Sequence, residues 1–272
     1  MKILSAIEQW PAIEKRLKEA SILYLFLDYD GTLTPIVETP DKAILSVENR
    51  NLLQKLSKVP MCRIVVISGR ALNDLKRRIH FKNVVCIGNH GFEIDGGDLK
   101  FNSLVAPKVR KAFEIVKSHI ALLSADTKVI FVEDKGATLS IHYRLLEEKR
   151  VGPFRKAVQK IIRPYLRSKE IKCVEGKKVF ELRPPIVWDK GEAVKWLLTQ
   201  HAFNAPLQNA LPIYIGDDTT DEDAFASLQK NGITISIGIR PGSHARYFLN
   251  DTEAVSQFLS KLLAAIREKV TC

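Results

Sequence analysis

The feature that most constrains the fold of this chain is the alternation of short apolar runs with segments of helical spacing. After the first 20 residues, apolar runs alternate with amphipathic segments at 22–27, 46–57, 63–67, 71–79 and 84–87, and the alternation resumes at 191–201, 212–215, 221–228, 233–237 and 253–270. Strands that alternate with helices predict right-handed βαβ units. We therefore expect an α/β fold, with a Rossmann-like, doubly wound parallel sheet as its core.

The alternation breaks near Pro107, where the order becomes α-β-β-α-β-β. The predicted helices and strands of this stretch cover residues 105–123, 128–132, 137–143, 147–166, 171–174 and 178–182. Hairpins form antiparallel pairs, so this stretch cannot simply extend a parallel sheet. The sequence therefore predicts an inserted α+β (αββαββ) domain at 105–185, within a core formed by 1–104 and 186–272.

The net charge of +11 raises the question of a nucleic-acid partner. The Lys and Arg residues are spread along the chain and mixed with acids, and no basic block is interleaved with aromatic residues. An anionic small-molecule substrate accounts for the charge equally well. We expect no nucleic-acid partner.

Other broad classes have little support. No stretch approaches the roughly 20 apolar residues that span a bilayer, and the charged residues among the first 20 predict an amphipathic helix, not a signal peptide. The four cysteines include no Cys-x-x-Cys pair, so zinc and disulfide frameworks are disfavoured. We expect a cytoplasmic protein without a membrane partner.

Two acids one residue apart, Asp28 and Asp30, end the first apolar run and are followed by Gly31 and Thr32. In an open parallel sheet, ligands bind at the carboxyl ends of the strands. Neighbouring carboxylates repel each other unless a cation or a proton lies between them. The pattern predicts a divalent metal and phosphate chemistry.

Three further motifs stand at strand or helix ends. Ser68 follows the run at 63–67, Lys190 precedes a predicted helix, and Gly216-Asp-Asp-Thr-Thr-Asp-Glu222 follows an apolar strand. A hydroxyl and an ammonium group suit a phosphoryl group, and carboxylates drawn from two strand ends suit Mg²⁺. Helix capping alone would explain Asp221 and Glu222 but not the two preceding acids.

Together these four motifs resemble the haloacid-dehalogenase-like (HAD) phosphohydrolases. In that family the first Asp of the Asp-x-Asp motif is the nucleophile and the second is the general acid and base. The resemblance implies that Asp28 forms an aspartyl-phosphate, that Asp30 moves the protons, and that Ser68 and Lys190 hold the phosphoryl group. It implies that Mg²⁺ is held by the Asp28 carboxylate, the Asp30 backbone carbonyl and Asp217, with Asp218 or Asp221 supporting through water.

Longer phrases resemble the trehalose-6-phosphate phosphatases within that family. They are Asp28-Tyr-Asp-Gly-Thr-Leu-Thr-Pro35, Gly88-Asn-His-Gly91 with Glu93, Val132-Glu-Asp-Lys-Gly136, His142-Tyr-Arg144, Gly176-Lys-Lys-Val-Phe-Glu-Leu-Arg-Pro184 and Gly216–Glu222. In that family the insert is a cap over the active site. The resemblance makes five charged residues of the insert candidates for binding sugar hydroxyls: Glu133, Lys135, Arg144, Lys177 and Glu181. Asn89 and His90, at another strand end, are candidates for lining the pocket.

Two alternatives stay open on the sequence alone. The substrate is another sugar phosphate, such as sucrose phosphate or a glycosyl phosphoglycerate, or the chain is a non-catalytic sugar-phosphate sensor. The presence of Asp28, Asp30, Ser68, Lys190 and Asp217 favours an enzyme. We expect a monomer that acts on a small sugar phosphate, and an association with a trehalose-phosphate synthase is the one protein partner that the resemblance implies.

Overall fold

The structure is a computed structural model, and it describes residues 3–97, 99–102, 105–124, 129–200 and 209–271. The chain divides into two compact units. We call residues 1–102 with 188–272 the core unit, and residues 103–187 the insert. The predicted strand start at Lys128, the predicted helix end at His201 and the last cysteine, Cys272, lie outside the described residues.

The helices and strands follow the predicted alternation. The core unit begins with β1 (Leu4–Ser5), α1 (Trp10–Glu19), β2 (Ile22–Asp28), α2 (Val47–Leu56), β3 (Cys62–Ile67), α3 (Leu72–Ile79), β4 (Val84–Gly88), β5 (Glu93–Gly96) and β6 (Leu99–Asn102). The insert contains α4 (Pro107–Leu123), β7 (Phe131–Asp134), β8 (Leu139–His142), α5 (Glu148–Arg167), β9 (Lys172–Gly176) and β10 (Val179–Arg183). The core unit then continues with α6 (Lys190–Thr199), β11 (Ala210–Gly216), α7 (Glu222–Leu228), β12 (Ile233–Ile237), β13 (Tyr247–Leu249) and α8 (Thr252–Thr271).

The core unit is built on one sheet with the strand order β1-β13-β12-β11-β2-β3-β4-β5-β6. In this spatial order, each pair of neighbouring strands from β1 through β13, β12, β11, β2 and β3 to β4 is parallel. Strands β5 and β6 add antiparallel pairs next to β4. Every residue of β2 is buried, because alternate side chains enter different apolar layers. Leu25 and Leu27 pack in a layer with α1, α2 and α8, whereas Tyr24 and Phe26 pack in a layer with α6 and α7. The predicted α/β fold with helices on both sheet faces is confirmed.

The insert contains a four-stranded antiparallel sheet with the order β7-β8-β10-β9. Leu139, Ile141, Phe180 and Leu182 point from this sheet into one apolar cluster shared with α4 and α5. Because side chains alternate along a strand, the residues between them lie on the other face. The predicted αββαββ order is confirmed, and one sheet face stays uncovered by the two helices.

The differences from the predictions are confined to short elements. The amphipathic segment at the N-terminal end forms a helix only from Trp10, after the two-residue strand β1. Strands β1, β5, β6 and β13 contain two to four residues each, too few to give a detectable apolar alternation. They form because a neighbouring strand provides the hydrogen-bonding edge, and the series of neighbours leads back to the longer strands β4 and β12.

Two further features concern the length of the apolar helices and the state of the cysteines. Within the described ranges, we find no helix that is both long enough and apolar enough to cross a membrane. Cys62 and Cys86 are buried free thiols in β3 and β4, and burial raises the pKa of each to about 12. A thiol that stays protonated is a poor nucleophile, so these two cysteines serve as small core residues.

Candidate active site

The candidate catalytic side chains meet at the carboxyl ends of three adjacent parallel strands. Asp28 is the last residue of β2, whose neighbours in the sheet are β11 and β3. Asp217 directly follows β11, and Ser68 directly follows β3. The topology thus brings together residues that are up to 189 positions apart in the sequence, at the sheet edge where α/β folds bind ligands.

Lys190 provides a buried positive charge at this edge. It is the first residue of α6, its side chain is 3% exposed, and its Nζ lies 2.6 Å from Asp28 Oδ1 and 2.7 Å from Asp221 Oδ1. Burial alone would lower the pKa of Lys190, but Asp221 and Asp28 raise it above its ordinary value. The ammonium group therefore stays charged at neutral pH and offsets part of the negative charge beside it.

Asp221 holds Lys190 from the opposite side. Its Oδ1 also accepts a hydrogen bond from the Tyr214 hydroxyl at 2.7 Å, and its Oδ2 accepts one from the Asp218 backbone N–H at 2.9 Å. The residue is fully buried. Asp218, in contrast, is exposed, and its carboxylate caps the Thr219 N–H. Of the two acids that the sequence left as alternatives for support of the metal, Asp221 is the one inside the site.

Three carboxylates form an acidic cluster. Asp28, Asp217 and Asp221 each offer an oxygen, and these oxygens all lie within 4.8 Å of one another. Burial and the repulsion from Asp221 raise the pKa of Asp217 to about 6. Burial, with the repulsion from Asp221 and Asp217, raises the pKa of Asp28 well above its usual range, against the opposing effect of Lys190. A hard divalent cation would offset this repulsion, and carboxylate oxygens are the ligands that Mg²⁺ prefers.

The loop after β2 is shaped to admit the Asp217 carboxylate. Gly31 has φ +86°, and a Cβ at this position would lie 2.2 Å from Asp217 Oδ2. Only glycine combines this left-handed conformation with so close an approach. The Thr32 hydroxyl donates to Asp217 Oδ1 at 3.4 Å. The donor set and the space around it therefore fit a small oxygen-ligated cation.

The acidic cluster makes a specific pH dependence of stability expected. Because the folded state raises the pKa of Asp217 to about 6, compared with about 3.9 in an unfolded chain, it binds this proton more tightly than the unfolded state does. Without divalent ions, the Asp217 contribution to the free energy of unfolding should fall by about 1 to 2 kcal/mol as the pH rises from about 4 to about 7. Urea unfolding of the wild type and Asp217→Asn in chelator at both pH values measures this contribution.

Addition of Mg²⁺ is the control for this unfolding measurement. At the higher pH, Mg²⁺ should stabilise the wild type and should stabilise Asp217→Asn much less, because ligand binding to the folded state adds to its stability. If the free energies of unfolding of the two proteins differed by the same amount at both pH values, the raised pKa of Asp217 would be contradicted.

Asp30 lies in a different set of contacts. Its carboxylate accepts from the Arg70 guanidinium, at 2.6 Å from Nη2 to Oδ1 and 2.8 Å from Nε to Oδ2. The Ser68 hydroxyl donates to Asp30 Oδ2 at 3.3 Å. The two acids of the Asp-x-Asp motif therefore have separate environments, since only Asp28 belongs to the acidic cluster among the described residues.

Asn89 and His90 follow β4 at the same sheet edge, both with positive φ. Asn89 is fully buried, and its amide Nδ2 donates to Glu93 Oε2 at 3.3 Å. The His90 ring covers Gly69, where a Cβ would lie 2.4 Å from His90 Nε2. In this structure Asn89 supports the loop from within, and His90 lies next to the Ser68 turn.

The five sugar-binding candidates of the insert occupy different parts of its sheet. Glu133 and Glu181 lie on opposite sides of Ser140 in the register, on the face away from α4 and α5. The Lys135 ammonium reaches back to 3.7 Å from Glu133 Oε2. Arg144 and Lys177 are exposed and follow β8 and β9, at the opposite end of the sheet from Lys135. The structure thus groups three of the five and separates two.

Sequence reasoning missed two residues that organise the site. Arg70 directly follows the Ser68-Gly69 turn, and Tyr214 precedes Gly216 by two residues in β11. Their proximity to motifs is the only signal in the sequence. Both residues contact motif acids through side-chain hydrogen bonds, Arg70 to Asp30 and Tyr214 to Asp221, which a linear pattern does not encode.

The comparison with known proteins agrees with this geometry. Residues 26–253 match the family model described as trehalose-phosphatase. The chain belongs to the trehalose-phosphatase family. Trehalose-phosphate phosphatase B of Arabidopsis thaliana is 32% identical over 280 residues, which cover 98% of this chain and 72% of that protein.

Two solved structures extend the comparison to three dimensions. The C-terminal domain of Candida albicans trehalose-6-phosphate phosphatase is 28% identical with a TM-score of 0.76, and the match covers 93% of this chain and 96% of that one. A haloacid dehalogenase-like hydrolase from B. subtilis is 17% identical with a TM-score of 0.58, and the match covers 88% of this chain and 99% of that one. The second likeness concerns the fold, and it confirms the predicted HAD-like architecture.

Proposed function

We propose that this member of the trehalose-phosphatase family is a Mg²⁺-dependent phosphatase that hydrolyses trehalose 6-phosphate to trehalose and phosphate. The observation that carries the proposal is the buried contact of Lys190 with Asp28, beside the acidic cluster at the end of β2. A carboxylate held by an ammonium group at a strand end is suited to attack phosphorus. The substrate follows from the relatives, which are named trehalose-phosphate phosphatases.

Asp28 is the nucleophile of the proposed reaction. Its carboxylate attacks phosphorus, the bond from phosphorus to the sugar oxygen breaks, and an aspartyl-phosphate forms on Asp28. Asp30 gives its proton to the departing sugar oxygen and then takes a proton from the water that hydrolyses the aspartyl-phosphate. Its side chain is 41% exposed, in contrast to 6% for Asp28, so Asp30 is accessible to both a substrate and a water.

The remaining residues hold charge and orientation. Lys190 and the Ser68 hydroxyl stabilise the phosphoryl group, since this chemistry depends mostly on positioning and on charge stabilisation. Asp28, Asp217 and the Asp30 backbone carbonyl would hold Mg²⁺, with Asp221 keeping Lys190 in place. When bound, the cation supplies positive charge to the phosphoryl oxygens and to the crowded carboxylates.

The insert supplies the sugar specificity in this proposal. The sheet face away from α4 and α5 carries Glu133 and Glu181, with Lys135 beside Glu133. Charged groups form strong hydrogen bonds with hydroxyls, and a disaccharide offers many of them. Arg144 and Lys177 would contact the substrate from the other end of the sheet.

Phosphate release from a panel of phosphate esters, with Mg²⁺ and with a chelator, tests the proposal. The panel contains trehalose 6-phosphate, sucrose 6-phosphate, glucose 6-phosphate and a glycosyl phosphoglycerate. We expect a preference for trehalose 6-phosphate of at least about 100-fold in kcat/KM, because a site built to bond hydroxyls rejects substrates that leave its polar groups unpaired. Turnover should be lost on chelation and restored by Mg²⁺.

The other outcomes separate the parts of the proposal. Metal-dependent release from a different ester would keep the mechanism and refute the sugar assignment. Release that survives chelation would refute the metal. No release from any ester, with binding retained, would favour a sugar-phosphate sensor.

A further inference from the structure

The Arg70 guanidinium holds the Asp30 carboxylate through two hydrogen bonds within the core unit. Its Nη2 and Nε donate to the two oxygens of that carboxylate, in the parallel arrangement that a planar guanidinium favours. The Arg70 side chain is 9% exposed, whereas that of Asp30 is 41% exposed. The pair therefore joins a buried guanidinium to a carboxyl group that is accessible to solvent.

Arg70 is itself fixed by contacts that do not involve Asp30. Its Nη1 donates to Asp74 Oδ2 at 3.0 Å, and its Nη2 also donates to the Pro40 carbonyl at 2.9 Å. Its guanidinium lies over the Tyr29 ring, 5.4 Å from the centroid. Its backbone N–H donates to the Ser68 hydroxyl at 3.1 Å. Because the side chain is already ordered, little conformational entropy is lost when it orients Asp30.

A purely structural ion pair is a weaker explanation of this arrangement. Asp74 already gives Arg70 a partly buried counter-charge, and Asp74 also accepts from Arg78 at 2.9 Å. Partly exposed ion pairs contribute little stability. The contact with Asp30 adds orientation to the one acid that the proposed reaction requires to reach both the sugar oxygen and a water.

We propose that Arg70 is a positioning residue that sets the orientation of Asp30 for proton transfer to the leaving oxygen. This inference rests on the proposed function, in which Asp30 is the acid and base. In the reacting acid, one oxygen of Asp30 still accepts from the guanidinium, while the other gives up its present contact with Arg70, carries the proton and faces the departing sugar oxygen. The rotation of the carboxylate is thereby restricted to a single hinge point, which keeps the proton within reach of the oxygen that departs.

Leaving-group dependence separates positioning from a general structural role. A sugar alkoxide needs a proton in order to depart, whereas p-nitrophenolate departs without one. We compare kcat/KM, which reports the transfer of the phosphoryl group to Asp28, for the best sugar phosphate and for p-nitrophenyl phosphate. Arg70→Gln should lower the value for the sugar phosphate by about 100-fold, in the range of a lost general acid, and that for the aryl phosphate by less than about 5-fold.

Two further variants control for folding and for charge. Arg78→Gln removes another guanidinium that pairs with Asp74, and it should affect the two substrates equally and slightly. Arg70→Lys keeps the charge but cannot hold both oxygens, so its selective loss should be intermediate. In an Asp30→Asn background, Arg70→Lys should cause little further loss, because the two residues act as one unit.

Equal losses on both substrates, or additive losses in the double variant, would overturn the proposal and leave Arg70 a structural residue. The proposed function fails separately. Wild-type protein that hydrolyses the aryl ester and none of the sugar phosphates would refute the sugar-phosphate substrate, and a simple alkyl phosphate would then replace the sugar phosphate in the same comparison. If Arg70→Gln then lowered kcat/KM for that alkyl ester no more than for the aryl ester, the positioning role of Arg70 would still be contradicted.

Discussion

Asp28→Asn abolishes phosphate release and leaves the fold intact: this is the largest loss of activity that we expect from a single substitution. Asn has nearly the same shape but lacks the ionised oxygen that attacks phosphorus. Removing a catalytic nucleophile typically lowers kcat by about 10⁴-fold or more. Lys190 keeps its contact with Asp221 Oδ1 at 2.7 Å, so the buried ammonium remains paired. Phosphate release under saturating sugar phosphate measures the effect.

Thermal unfolding in chelator completes this experiment. We expect the melting temperature of Asp28→Asn to equal or exceed that of the wild type, because one of three crowded carboxylates becomes neutral. Asp41→Asn, the same substitution at a fully exposed side chain, is the matched control and should keep full activity. An Asp28→Asn protein that releases phosphate at a wild-type rate would show that another group is the nucleophile.

Lys190→Met is expected to cause the largest loss of stability. The ammonium contacts two buried carboxylates, and removing one partner of such a group leaves uncompensated charge. Breaking a buried ion pair in this way costs about 3 to 5 kcal/mol. The loss should be greatest near neutral pH in chelator and smaller near pH 5, because the raised pKa values of Asp28 and Asp217 let protons replace the missing cation. Urea unfolding measures both values.

The control for this substitution lies on the same helix. Lys195 is 54% exposed and pairs with Glu192 at 2.8 Å, so Lys195→Met should cost less than about 1 kcal/mol. Mg²⁺ should restore part of the stability of Lys190→Met and none of its turnover. If both lysine variants were equally stable, the buried charge network would contribute nothing to folding.

Much of the core unit was predictable because its strands are long apolar runs. Strand β2 was predicted at 22–27 and observed at Ile22–Asp28, and β12 was predicted with its observed bounds. Buried parallel strands carry a strong local signal. The hairpin of β5 and β6 carries none, since Glu93–Gly96 is polar and its partner has only four residues. It forms against β4, and this pairing depends on tertiary contacts.

The site was predictable at strand ends and not beyond them. Asp28, Ser68 and Asp217 follow apolar runs, so the rule for open α/β sheets brings them together. The burial of Asp221 was not predictable, because an acid at the start of a helix ordinarily faces solvent. The contact between Arg70 and Asp30 depends on the pairing of β2 with β3. The two residues are 40 positions apart in the sequence, and this spacing does not predict their contact.

The strand order has a consequence for local unfolding of the sheet. Strand β2 is fifth of nine in the sheet, with a long ladder to β11 on one side and to β3 on the other. Amide protons exchange with solvent first at frayed edges and last in the centre of a sheet. Opening of β1 or β6 therefore leaves the strand that carries Asp28 closed, so the position of the proposed nucleophile does not depend on either edge strand.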